Sequence, residues 1–218
     1  MNRLAQPAVL VAAAKAAFIT ALLCYPRFAL WLHRPNPVWY LEVILFLGST
    51  ILWGFVFAWH SAYSRCPVFK AQVGARLWGL ATAAGLVVAG LLHLFLDQSL
   101  RLTTPEDYPA NLAQWLAMTL FQLAFVQLFL VFAPFAWSIR LVHHRATAAA
   151  ITILLGVLVL MLKTQSSDVP LPASLFASLF ILRIVLGLLM IALYLRGGVT
   201  LVWWCSFLIE ARHLLDMH

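Results

Sequence analysis

Apolar and polar positions alternate along this chain in long blocks rather than in short periods. Six strong apolar runs cover Val38 to His60, Leu77 to Leu96, Leu112 to Trp137, Ala146 to Leu162, Leu175 to Leu195 and Val199 to Leu215. Each suits a helix crossing the hydrocarbon of a bilayer. None alternates with period two, so barrel strands are excluded, and a helix is the remaining way for backbone in lipid to satisfy its hydrogen bonds. A seventh run, Ala8 to Leu32, is interrupted by Lys15 and by Pro26 and Arg27. It predicts either a further span or an interfacial segment, although it lacks the regular charged face of an interfacial helix. It also lacks the tight apolar core and small-residue cleavage site of a signal peptide. The expected architecture is all-α, a polytopic transmembrane helical bundle of six or seven spans forming one domain over residues 1–218.

The connections orient the runs. SAYSRCPVFKAQVGAR carries Arg65, Lys70 and Arg76 without an acid, RLVHHR carries Arg140 and Arg145, and the break inside YLRGGVTLVWW carries Arg196. Excess Lys and Arg mark cytoplasmic loops, so these three share the cytoplasmic side, with His143 and His144 in a solvated turn. DQSLRLTTPEDYPAN and KTQSSDVPLPAS then lie opposite. With seven spans the amino terminus is cytoplasmic, and a bacterial inner membrane is the expected location. Gly197 and Gly198 after Arg196 predict a tight reversal between the last two spans. In LWGLATAAGLVVAG the four-residue spacings Gly79/Ala83, Ala81/Gly85 and Gly85/Ala89 predict a face where another helix backbone approaches closely, within the chain or on a partner.

Composition fits a membrane protein. Of 218 residues 64% are hydrophobic and 10% charged, and mean hydropathy is +0.96. The net charge of +7 is spread singly between apolar runs, which argues against a nucleic-acid partner. Cys24, Cys66 and Cys205 show no disulfide or zinc spacing and read as packing residues. Nine Trp, fifteen Phe and five Tyr suit interfacial belts and packed helix faces, and also pigment-binding subunits.

Charged and amide groups inside the spans are the candidate chemistry, because each is costly there without a partner or a wet cavity. Glu42 lies ~6 Å and Arg183 ~12 Å inside the same outer face at ~1.5 Å per residue, so they are expected to meet as a hydrogen-bonded pair. Gln122 and Gln127 lie near mid-membrane, about 140° apart on an α-helix, and are expected to face different neighbours. Pro134 should kink their helix. His60 and His93 sit among large apolar residues and are candidate axial ligands for a haem or chlorophyll-type pigment. His33, His93 and Asp97 form a weaker candidate metal set. Glu210 and His213, three apart, offer the best acid–base geometry, against a cap and surface cluster with Arg212 and Asp216. No Ser/His/Asp set, Walker loop, HExxH or GxGxxG appears.

From Leu112 to Leu215, about half the chain, the order of runs resembles the CAAX-protease and bacteriocin-processing (CPBP) family of intramembrane proteases. LGLLMIALYLRGGVTLVWW is the part most similar to the family's ending, and AFVQLFLVFAPFAWSIRLVHHRATAAAITILLG is similar to its glutamate-bearing helix, basic turn and following helix. The resemblance also implies lost catalysis. Where the family carries Glu-Glu-x-x-x-Arg, Gln127 is the nearest analogue. The Phe-x-x-x-His motif should fall near Gly156 to Leu162, which has no histidine, and the final His-x-x-x-Asn falls on Phe207 and Ala211. A pseudoenzyme is expected, acting as a noncatalytic multi-pass subunit that scaffolds a larger membrane complex, with lipids and other membrane subunits as partners. Noncatalytic relatives are associated with pigment metabolism, which makes a photosynthetic complex a candidate home. Two other readings stay open: an active peptidase using Glu210 and His213, and a transporter or channel lined by Arg183, Glu42 and the two glutamines.

Overall fold

The computed structural model describes residues 3–31, 36–105, 108–165 and 172–217. Among them every element is helical, with one isolated antiparallel bridge between Phe69 and Gly198. The chain is an all-α bundle in which six helices are long and apolar enough to cross a membrane. The uncertain first run forms α1 (Pro7–Ala29), opened by Pro7 at a position where a missing N–H costs nothing. Its small residues Ala13 and Ala17 are fully buried, and Trp53 Nε1 of α2 (Val38–Phe55) donates to Thr20 Oγ1 at 3.0 Å. α2 continues through a π segment, Val56–His60, into α3 (Ser61–Ser64), which ends at Arg65 in the left-handed conformation.

α4 (Ala75–Phe95) leads into the short α5 (Asp97–Thr103). α6 (Leu112–Phe121) starts at a reciprocal cap: the Gln114 N–H donates to Asn111 Oδ1 at 2.9 Å, and the Ala110 N–H to Gln114 Oε1 at 2.8 Å. Two π segments, Gln122–Val126 and Leu128–Phe132, connect it to α7 (Ala133–Val142). Pro134, where a kink is expected from sequence, stands in the first turn of α7 directly after these segments. Its ring crowds the carbonyl four residues back and it has no N–H to give, and immediately before it the Ala133 N–H bonds the Leu128 carbonyl in an i→i+5 step.

α8 (Arg145–Gln165) is followed by α9 (Ala173–Glu210), broken at Gly198, where φ is +72° and ψ −164°. The break is a reversal. Ser206 Oγ lies 3.8 Å from Met190 Sδ, whereas a straight helix would separate residues sixteen apart by ~24 Å. Among the described residues the last of the six long apolar helices is thus folded into two arms. Only glycine adopts the Gly198 conformation freely, and a methyl there would collide with the Val68 carbonyl. The loop before α4 caps the reversal: the Val199 N–H donates to that same carbonyl at 2.9 Å, and Lys70 Nζ to the Arg196 carbonyl at 3.3 Å.

The second arm of α9 packs on α4 through the small-residue seam. A Cβ on Gly85 would lie 3.0 Å from Leu208 Cβ and 3.1 Å from the Cys205 carbonyl oxygen. Ala81 and Ala89 are buried beside it, while Gly79 and Ala83 remain exposed, so one register of the predicted seam is used within the chain. Trp204 Nε1 adds a 2.8 Å bond to Thr82 Oγ1.

The three basic connections gather at one end, as their shared charge requires. The Arg145 guanidinium donates to the Ser64 carbonyl, and Arg140 stacks over Trp59 at 4.1 Å. His143 is exposed in a left-handed turn against Tyr63. A compact core of Leu128, Phe132, Phe135, Ile139, Tyr194 and Leu201 lies beneath them. All three cysteines are free, with Cys24 and Cys205 buried.

Candidate intramembrane polar cavity

At the opposite end the carboxyl-terminal turn is locked to α5. Asp97, 2% exposed, accepts from Arg212 Nε at 3.1 and 3.3 Å and from the Tyr108 hydroxyl at 2.8 Å. Arg212 Nη1 also donates to the Ile209 carbonyl at 2.9 Å. Burial first, and then its bond to the Asp97 carboxylate, push the Tyr108 phenol up, so it stays a donor. His93 Nδ1 lies 3.9 Å from Asp97 Oδ2. His213 Nε2 is 3.6 Å from Glu210 Oε2, the Tyr108 ring meets His213 edge-on, and Trp115 Nε1 donates to the Glu210 carbonyl at 2.9 Å.

Beneath this lock a cavity of about 200 Å³ opens between the π-distorted helix, α8 and both arms of α9. Its polar walls are Gln122, Gln127, Thr152, Arg183, Ser206, Glu210 and Arg212. Arg183 is the unusual member. Its Nε donates to the Gly156 carbonyl at 3.2 Å, and it has no ion-pair partner among the described residues. Gly156 makes the placement possible, since a Cβ there would lie 2.8 Å from Arg183 Nη2. Gln127 is 6% exposed, and its Oε1 finds no donor among the described groups. A part-buried cation and a buried amide acceptor without full partners among the described residues are costly in low dielectric, so the cavity is suited to a polar or anionic guest.

Several sequence expectations are corrected here. Gln122 and Gln127 share one cavity rather than facing apart, because the Gln127 N–H bonds the Gln122 carbonyl. That i→i+5 step places residues five apart above one another, and α-helical periodicity misassigns them. Glu42 and Arg183 do not pair: Glu42 lies beside Cys24 of α1 with Oε1 buried and unbonded among the described residues, while Arg183 faces α8. A shared outer face set the expectation, but helix neighbours decide contact. Glu42 therefore does not line the cavity, and the path of Arg183, Glu42 and the two glutamines is not assembled.

His60 is fully buried. Its ring centroid is 4.2 Å from that of Tyr194 and 5.9 Å from that of Phe135, which leaves no slot for a macrocycle on it. His93 borders an open groove with Asp97, Gln98, Arg101 and Leu102. The two histidines lie at opposite ends of the bundle and cannot share a metal. His33 and the Asp216 side chain lie outside the described residues, so the metal set and the terminal cluster reduce here to His93–Asp97 and to Glu210, Arg212 and His213. Among the described residues no three His, Cys, Asp or Glu side chains converge as a metal site.

Sequence reading did not connect Arg212 and Tyr108 with Asp97, nor Thr152 and Ser206 with the cavity. The one available signal was that a lone acid such as Asp97 needs a cation. Compared with known proteins, the chain matches no family model, no curated protein and no solved structure.

Proposed function

We propose that the chain is a noncatalytic integral membrane protein whose mid-membrane cavity binds the anionic headgroup of a membrane-soluble amphiphile. The observation that carries this reading is Arg183, a cation inside the bundle whose Nε meets the Gly156 carbonyl and which forms no ion pair among the described residues, although Glu210 lines the same cavity. Intramembrane charges of this kind mark ligand or ion pathways. Arg presents several donors in a planar fork, which suits a carboxylate or phosphate held bidentately. Gln122, Gln127, Thr152 and Ser206 offer the neutral donors and acceptors that would complete such a site.

Kinship with the CPBP proteases belongs to the same proposal. The cavity draws on the helices in which the resemblance puts that family's catalytic groups, and on Gln127, the nearest analogue of its glutamate motif. Loss of the acids would turn a hydrolytic cavity into a binding one. A subunit role in a larger assembly is favoured by Gly79 and Ala83, small residues left exposed on α4 with nothing within 4 Å of a Cβ on Gly79.

Native mass spectrometry of gently purified protein tests the reading. A retained anionic adduct is expected on the natural chain and absent from folded Arg183→Gln. Adduct-free natural protein, or equal adducts on both, contradicts it. Peptidase activity abolished by Glu210→Gln would instead establish the enzyme.

A further inference from the structure

A second void adjoins the cavity and lacks its charged and amide groups. It is an open groove of about 270 Å³ between α2, the second π segment, α7 and α8, walled almost wholly by carbon from Phe55, Phe129, Leu130, Trp137, Leu155 and Leu158. Leu130 borders both spaces, with Arg183 and Gln127 in the one and Phe129 and Pro134 in the other. The groove faces lipid, since Phe129, Trp137 and Leu158 are all more than 40% exposed. An alkyl chain is narrow enough to enter it, and its methylenes match walls that are almost wholly carbon.

We propose that this groove receives the alkyl chain of the amphiphile whose headgroup lies against Arg183, so that the ligand is a long-chain anion, with Leu130 as the threshold between tail and head. The inference rests on the headgroup reading above and adds the tail to it. A guanidinium without an ion-pair partner among the described residues and a carbon-lined slot one side chain away together select a molecule carrying both an anionic head and an alkyl tail. A free inorganic anion would leave the groove unused, and an uncharged lipid would leave Arg183 without an ion-pair partner among the described residues.

The test uses the full chain in nanodiscs of zwitterionic lipid, with empty nanodiscs as reference. Palmitate and hexadecyl phosphate are the long anions, octanoate the short one and hexadecanol the uncharged control. Palmitate or hexadecyl phosphate should bind at least about tenfold tighter than octanoate and hexadecanol, and whichever of the two is preferred identifies the head as carboxylate or phosphate. Leu158→Trp, and independently Leu155→Trp, fill the groove from α8. Each should bring the long anions down to the octanoate level without changing octanoate binding, with thermal unfolding confirming that the variants fold. Arg183→Gln should weaken long and short anions together. Sensitivity to Arg183→Gln without any effect of chain length or of the groove variants overturns the groove inference and leaves the headgroup site standing. Indifference to Arg183→Gln overturns both, as does hexadecanol binding as tightly as palmitate.

Discussion

Gly198 carries the reversal that folds the last helix onto itself. Its positive φ and the Val68 carbonyl against its α-carbon both forbid a side chain. Gly198→Ala is therefore expected to lower stability by about 2 kcal/mol or more, read as a drop in Tm in one fixed detergent; an unchanged Tm would show that the turn tolerates a methyl. Gly156 is constrained by Arg183 instead of by its own backbone. Gly156→Ala should leave the fold intact, displace the guanidinium and weaken anion binding severalfold. At the lock, Tyr108 donates to buried Asp97, and its raised phenol sets the sign of a pH effect. The stabilisation is complete below the unfolded value of ~10 and is lost as pH rises through the higher folded value. Tyr108→Phe should cost about 1–2 kcal/mol at neutral pH and remove the alkaline dependence, measured by unfolding at pH 8 and pH 11.

At the scale of elements, the apolar runs map closely onto the observed helices because a membrane demands length and hydrophobicity, both local properties of sequence. The hinge was equally legible: two glycines after an arginine between apolar runs can do little else. Facing was less legible wherever the helix departs from α geometry. Gln122 and Gln127 belong to one wall because of a π turn that no composition signals, although Pro134 seven residues on was its one hint. Pro134→Ala restores a donor and should let the segment relax toward α-helix, turning one glutamine away from the cavity. Anion binding should fall while Tm holds or rises, and unaltered binding would mean that the π turns do not depend on the proline. Contacts across sequence were not legible either. Asp97 and Arg212 are 115 residues apart, and nothing local in either stretch names the other.

For the whole molecule, charge and fold agree on polarity. Three basic connections meet at the end where α9 reverses, and the Asp97–Arg212 lock closes the other end. If the basic end is cytoplasmic, an impermeant maleimide should reach Cys66 only from that side and an introduced Gln98→Cys only from the opposite one; labelling of both from one side would contradict the arrangement. The two voids lie between these ends, one polar and one apolar, sharing Leu130. The molecule thus has two tied ends with a polar and an apolar void between them.

The central claim is that Arg183 holds an anion there. Equilibrium binding of hexadecyl phosphate to the natural protein, Arg183→Lys and Arg183→Gln tests it most directly. The account predicts saturable binding by the natural chain, weaker binding by the lysine variant and a loss of at least about tenfold for glutamine. Equal affinity across all three proteins, each folded, would contradict it.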